Sequence, residues 1–267
     1  MKVRILAILV ALAVLVSSIT SCTAKDIDLI EVLKITPDDA GGVMCFDIES
    51  LESDPDLADW YSSLQGQLFF PTLPLLLDSS DIRTSAAAAS LGIFLWIFIG
   101  ELDHQGIRDF LIEEGYEAGK YEGVEIWTST EELLVMALLE KTFIAGNTDS
   151  VEASIRVIRN KKPSLYDNRD IKSVVDKLPE GIMITITGGQ VSLNIPVLAG
   201  GFSLRKVASG TTLEIEGWFK YESEVNAEAA LSDAEYLIKN MWDATQISSQ
   251  LRGEFIEFTG EMEIPED

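Results

Sequence analysis

A run of seven apolar residues between two glycines is the feature that most limits how this chain can fold. Residues 93–99 read Ile-Phe-Leu-Trp-Ile-Phe-Ile, with Gly92 before them and Gly100 after them. Extended back to Ser85, the apolar stretch covers only 15 residues, and a membrane-spanning helix needs about 20. The run therefore predicts a strand that is buried on both faces of a sheet.

Hydrophobic spacing, caps and turn residues predict the other elements. Helices are predicted at 29–35, 56–68, 104–115, 170–178 and 226–245, and from a cap at Asn147 to a stop at Lys161-Lys162-Pro163. Strands are predicted at 43–48, 92–100, 124–128, 133–139, 142–145, 182–187, 211–221 and 253–264. The alanines at 86–89 predict a short helical or loop piece, and residues 188–210 predict a looser region rich in turns.

The order of these elements predicts the fold class. Strands follow one another in hairpins as often as they are joined by crossovers, which is typical of the α+β class: largely antiparallel sheet with helices packed on one face. Two similar sub-domains are an open alternative. We divide the chain into a leader at 1–21, a tether at 22–28, a first α+β sub-domain at 29–187 and a second at 188–267, packed on the first.

The first 22 residues have the layout of an export signal. Lys2 and Arg4 form a basic start, twelve apolar residues follow at 5–16, and small residues precede Cys22. The end of this stretch, Ile-Thr-Ser-Cys at 19–22, resembles a bacterial lipobox, in which the cysteine carries acyl chains and becomes the mature N-terminus. The resemblance implies a lipid attached to Cys22 and a membrane as the partner of the N-terminus.

Two other interpretations of the leader stay open. The leader could remain as an uncleaved membrane helix, although its apolar run is short for a span. A plain secretory signal would leave Cys22 as an ordinary thiol. The lipoprotein interpretation places the protein in the cell envelope, anchored by lipid and facing the extracytoplasmic side.

The charge of the chain limits its partners. The formal net charge is −24, and removal of the leader leaves 18 basic against 44 acidic residues, a net charge of −26. Such a polyanion repels phosphate backbones, so nucleic acid is excluded as a partner. It also repels anionic lipid headgroups, so the globular part is expected to stand off the bilayer on its tether. Cationic partners or loosely bound Ca²⁺ would complement this negative charge. The simpler interpretation is that the charge only keeps the protein soluble.

Residues for catalysis or metal binding are scarce. Cys45 is predicted to be a small buried thiol, and His104 is the only histidine. The chain has no Gly-x-Ser-x-Gly elbow, no P-loop and no Gly-x-Gly-x-x-Gly sequence. One acidic run could hold a cation: Asp47, Glu49, Glu52, Asp54, Asp56 and Asp59. The run lacks the spacing of a calcium loop and predicts a solvated helix start instead, so we predict no metal, no cofactor and no enzymatic activity.

An apolar segment broken by two prolines is the remaining candidate site. It contains Phe69, Phe70, Leu73, Leu75 and Leu76, with Pro71 and Pro74 between them. The prolines rule out a regular helix or a central strand. The segment either presents an apolar patch to a protein or lipid partner or folds beneath the domain as core.

The block at 93–187 resembles a family of uncharacterised bacterial envelope proteins, known as a domain of unknown function. The resembling motifs, in order, are the apolar strand into Gly-Glu-Leu-Asp at 100–103, Gly115-Tyr116, Tyr-Glu-Gly-Val-Glu-Ile at 121–126, Phe-Ile-Ala-Gly at 143–146, Pro-Ser-Leu at 163–165 and Lys-Leu-Pro at 177–179. The resemblance implies an exported α+β domain and supplies no catalytic residues.

Three functions are open at this point. The first is a lipid-anchored surface or periplasmic lipoprotein that acts as a non-catalytic binding or structural module. The second is a carrier or chaperone for lipid or lipoprotein, with apolar strands lining a cavity. The third is a hydrolase that uses carboxylates only, for which the 44 acidic residues offer no unique pair.

Overall fold

Twelve strands of the described residues form one antiparallel sheet in the computed structural model of this chain. The structure describes residues 27–68, 81–90, 93–129, 134–189, 195–207, 211–242 and 244–264. Its helices are α1 (Leu29–Ile35), α2 (Ile48–Ser53), α3 (Pro55–Leu68), α4 (His104–Glu113), α5 (Thr148–Ile158), α6 (Arg169–Val175) and α7 (Glu224–Trp242), with a 3₁₀ turn at Leu165–Asp167.

The strands in chain order are β1 (Gly42–Asp47), β2 (Asp81–Ser90), β3 (Ile93–Glu101), β4 (Glu117–Tyr121), β5 (Val124–Thr128), β6 (Val135–Leu138), β7 (Thr142–Gly146), β8 (Met183–Thr187), β9 (Ala199–Lys206), β10 (Thr212–Lys220), β11 (Thr245–Arg252) and β12 (Phe255–Glu263). Across the sheet they run β11-β12-β10-β9-β8-β1-β2-β3-β7-β6-β5-β4. The predicted α+β class and the antiparallel sheet are confirmed.

Helices cover both faces of this sheet, and the prediction that they pack on one face is wrong. Strand β3 shows the reason, because its alternate residues enter two separate cores. Leu95 and Ile97 pack with α1 and α5 on one face, and Trp96 and Phe98 pack with α2, α3 and α4 on the other. A central strand that is apolar on both sides needs cover on both sides.

The two halves of the sheet repeat one order of elements. In the first half, α1 precedes the neighbouring strands β1, β2 and β3, with α2 and α3 between β1 and β2; α4 follows, and the last strand, β7, pairs with β3. In the second half, α6 precedes the neighbouring strands β8, β9 and β10, α7 follows, and the last strand, β12, pairs with β10. The halves meet where β1 pairs antiparallel with β8. The topology thus matches two similar sub-domains, and the boundary between 187 and 188 stays a prediction.

The alanine-rich segment is a strand, which corrects the predicted helical or loop piece at 86–89. Ala86 pairs with Cys45 of β1 and with Ile97 of β3. Alanine favours helices by its intrinsic propensity, but pairing on both sides overrides that preference. The small side chains of Ala86 and Ala88 lie in the core that also contains α1 and α5, so they leave room for those helices to approach the sheet.

The predicted looser region at 188–210 contains strand β9, which pairs with both β8 and β10. From the sequence alone, Gly200 and Gly201 of β9 predict a turn. In the structure, a Cβ at Gly200 would lie only 2.7 Å from Cδ1 of Phe219, so the glycine makes room for an aromatic ring. Sequence analysis did not predict α2 or the two edge strands, β4 and β11. The residues of these two strands are largely exposed and show little hydrophobic alternation.

Several local predictions are confirmed by cap geometry. Helix α1 has the predicted bounds, and Asn147 Oδ1 accepts the Ser150 N–H at 2.9 Å at the start of α5. Helix α4 is followed by Gly115 with φ of +79°, as expected of a C-terminal glycine. Within the described ranges, no helix combines the length and apolar character needed to cross a bilayer.

Candidate functional site

One row of side chains crosses the middle of the sheet with small or flexible residues at its centre and aromatic residues at its ends. From β3 to β9 the row contains Trp96, Ala87, Met44, Thr185 and Phe202. The two aromatic side chains are buried, whereas the three central residues are only half-buried. Neighbouring strands lie about 4.8 Å apart, so the aromatic ends are about 19 Å apart.

The next row extends this depression toward one end of the strands. Ala89, Gly42 and Thr187 lie side by side on β2, β1 and β8. Ala89 is exposed, and the other two are half-buried. We call this surface the central trough: its floor is Gly42, Met44, Ala87, Ala89, Thr185 and Thr187, and its walls are Trp96 and Phe202.

The row on the other side of Met44 is closed. Ser85, Phe46 and Met183 lie in register on β2, β1 and β8, and each is at most 1% exposed. Helix α2 contacts β1 and β2, and the ring of Tyr61 on α3 lies 6.2 Å from that of Phe46. The central trough is therefore covered at one end of the sheet and accessible at the other.

The wall on β3 carries additional apolar surface. The ring of Phe94 lies 3.9 Å from that of Trp96 in an edge-to-face arrangement, and Phe94 is 42% exposed. An exposed phenylalanine beside a half-buried apolar floor is a feature of binding surfaces.

One polar atom in the floor has no partner among the described residues. Thr185 Oγ1 is buried and has no hydrogen bond to any described residue. An unpaired buried hydroxyl costs roughly 1–3 kcal/mol. The Thr187 hydroxyl donates to the Gly41 carbonyl oxygen at 3.2 Å, and the Thr185 hydroxyl is buried, so the accessible floor of the central trough suits an apolar partner.

Three members of the acidic run at 47–59 make contacts within the protein: Asp47, Asp54 and Asp56. Asp47 accepts a hydrogen bond from the Ser50 N–H at 3.1 Å and caps α2. Lys206 Nζ donates to both carboxylate oxygens of Asp54 at 2.6 Å and to Asp56 Oδ2 at 2.8 Å. Hydrogen bonding from Lys206 holds the pKa of the Asp54 carboxyl below its usual range. No three His, Cys, Asp or Glu side chains converge as metal ligands in the described part of the chain.

Cys45 and His104 lie apart from the central trough. Cys45 is fully buried, as predicted, and burial raises the pKa of its thiol, which disfavours the reactive thiolate. His104 Nε2 lies 3.0 Å from the carbonyl oxygen of Glu140 in an exposed contact.

The residues predicted as sites lie outside the described residues. They are Cys22, Phe69, Phe70, Leu73, Leu75 and Leu76, and their roles stay predictions. Sequence analysis missed the central trough, whose floor comes from strands of both halves of the chain. Only the register between β1 and β8 brings Met44 beside Thr185, and no local pattern encodes that register.

No protein-family model matches the chain. An uncharacterized protein of Methanocaldococcus jannaschii, MJ0635, is 24% identical over 232 residues, which span 85% of this chain and 82% of that protein. Among solved structures, crystal form I of TP0453 matches with a TM-score of 0.56 and 12% sequence identity, over 87% of this chain and 92% of that chain. Crystal form IV of TP0453 matches over the same shares with a TM-score of 0.48. The likeness to crystal form I shows a shared fold.

Proposed function

We propose that this protein is a lipid-anchored lipoprotein of the cell envelope that acts as a non-catalytic binding module. Acyl chains on Cys22 hold it at a membrane, facing the extracytoplasmic side, and the central trough receives its partner. The observation that carries the binding role is the row from Trp96 to Phe202, which leaves apolar side chains half-buried in the middle of a sheet. In a sheet with helices on both faces, such positions are normally covered.

The anchor rests on the leader. Small residues before Cys22, a short apolar run and a basic start together form the pattern. Each acyl methylene that enters the bilayer contributes about 0.8 kcal/mol, so several chains on one cysteine hold a protein firmly. Nucleic acid is not a partner in this proposal, because the acidic chain repels phosphate.

Replacing Cys22 with alanine is expected to abolish lipid attachment. Cells that express the wild-type protein with labelled fatty acid should yield a labelled protein in the membrane fraction, and the Cys22→Ala protein should carry no label and leave that fraction. Cys45→Ala is the matched control, because Cys45 is buried in the core and should not affect labelling. A Cys22→Ala protein that still takes up label and sediments with membranes would refute the anchor.

The second candidate function is carriage of a lipid or lipoprotein, which the apolar floor of the central trough favours. Native mass spectrometry of the wild-type protein should then show a co-purified lipid. Ala89→Trp places a bulky ring on the floor and is expected to remove that lipid. Ala118→Trp, at an exposed position of edge strand β4, is the control and should retain it. A wild-type protein free of lipid, or a lipid that survives in Ala89→Trp, would contradict the carrier function.

A further inference from the structure

The helices on the two faces of the sheet differ in charge. Helices α2, α3, α4 and α7 lie on the face of the central trough, because their buried residues pack in one core with Trp96 and Phe202. These four helices contain ten acidic and two basic residues. Helices α1, α5 and α6 and the 3₁₀ turn lie on the other face and contain five acidic and four basic residues. The negative charge of the helices is therefore concentrated on the side of the central trough, which we call the trough face.

The acidic residues of the trough face are accessible to a partner. Lys206 pairs with Asp56 at 2.8 Å and offsets part of their charge. The floor of the central trough, in contrast, contains no charged residue. An apolar floor on an acidic face suits a partner that is both apolar and cationic. Nine of the ten acidic residues are exposed: Glu49, Glu52, Asp56, Asp59, Asp109, Glu113, Glu224, Glu228 and Glu235.

Every strand of the floor is paired on both sides. Strand β1 pairs with β2 and β8, β2 also pairs with β3, and β8 also pairs with β9. A partner therefore cannot add a strand here, and an extended peptide on the floor would bury N–H and C=O groups without partners. An α-helix satisfies these groups internally. Its diameter with side chains, about 10–12 Å, is smaller than the separation of about 19 Å between the positions of Trp96 and Phe202.

We propose that the partner of the central trough is a basic amphipathic α-helix of another protein. The apolar side of this helix contacts the floor and the exposed ring of Phe94, and its lysine or arginine side chains lie toward the acidic residues of the trough face. The inference rests on the proposed binding role and adds the class of the partner. A basic partner also complements the formal net charge of −24 of the whole chain.

Three fluorescein-labelled peptides of equal length test the class of partner. The first is an amphipathic helix with leucine and alanine on one side and lysine on the other. The second has glutamate in place of every lysine, and the third has the composition of the first in an order without an apolar side. The full-length wild-type protein is titrated into each peptide with phosphatidylcholine nanodiscs present, which keep it in solution with or without acyl chains. Empty nanodiscs give the background.

We expect the amphipathic lysine peptide to bind at least about tenfold more tightly than either of the others, as measured by fluorescence anisotropy. Raising NaCl from about 50 mM to about 500 mM should narrow its advantage over the glutamate peptide, because salt screens exposed charges. The comparison uses the wild-type protein throughout, so it does not depend on whether a variant folds.

Two tryptophan variants test the location. Ala89→Trp fills the exposed end of the floor and should weaken binding of the lysine peptide by about tenfold or more. Ala118→Trp, on edge strand β4, should bind it as the wild-type protein does.

The possible failures are distinguishable. Equal binding of the lysine and glutamate peptides, or undiminished binding by Ala89→Trp, would overturn this inference. If no peptide binds but a lipid co-purifies and is lost in Ala89→Trp, the helical partner is wrong and the binding role of the central trough stands. If neither peptide nor lipid binds, the inference and the proposed binding role fail together.

Discussion

Replacement of Trp96 with alanine will lower the free energy of unfolding by about 3–5 kcal/mol. Trp96 is 1% exposed and lies in register between Ala87 of β2 and Ala145 of β7. Two alanine neighbours cannot move in to fill the space that the indole leaves, so the cavity persists and adds to the lost burial of apolar surface. Urea unfolding followed by circular dichroism measures the change without relying on tryptophan fluorescence.

Ile112→Ala on α4 is the control for this variant. Ile112 is 62% exposed, so its truncation should change the free energy of unfolding by no more than about 0.5 kcal/mol. A Trp96→Ala protein as stable as Ile112→Ala would mean that the first wall of the central trough is not part of the core.

The second large effect is expected at Gly217, in the middle of β10. A Cβ at this position would lie 2.3 Å from Cζ of Phe258, 2.6 Å from the carbonyl oxygen of Gly201 and 2.7 Å from Cβ of Phe202. The backbone oxygen and the Cβ cannot move without shifting β9. Gly217→Ala is therefore expected to cost about 3 kcal/mol, at the upper end of the usual range for overpacking, as measured by the same urea titration.

Gly119 provides a matched glycine for comparison. It lies on edge strand β4, and a Cβ there would meet only Ile126, at 3.6 Å or more. Gly119→Ala should leave stability unchanged or raise it slightly, because the substitution reduces the entropy of the unfolded chain. If both variants cost the same, the close approach of Phe258 and Phe202 to Gly217 is not what limits that site.

Elements whose signal is local were predicted well. The spacing of Leu29, Val32 and Leu33 gave α1, and the side chain of Asn147 gave the start of α5. The apolar run at 93–99 gave a strand that is buried on both faces from Leu95 to Ile99, because consecutive apolar residues leave neither face suited to water, whereas Phe94 is 42% exposed. Each of these signals lies within a few residues of the element that it specifies.

Features that depend on distant parts of the chain were not predicted. The alanines of β2 are helix formers by propensity, and only pairing with β1 and β3 makes them a strand. The glycines of β9 resemble a turn until the ring of Phe219 is placed against Gly200 and the side chains of Ile186 and Leu178 against Gly201. The central trough combines five strands, so its recognition requires the register of every pair between them.

The repeated order of elements has a consequence for what a bound partner would do. One wall of the central trough, Trp96, belongs to the first half of the chain, and the other wall, Phe202, belongs to the second. The halves meet along the five residue pairs of β1 and β8. A ligand on the floor that contacts both Ala89 of β2 and Thr187 of β8 would bridge this junction, so it would stabilise the two halves jointly and make them unfold as one cooperative unit.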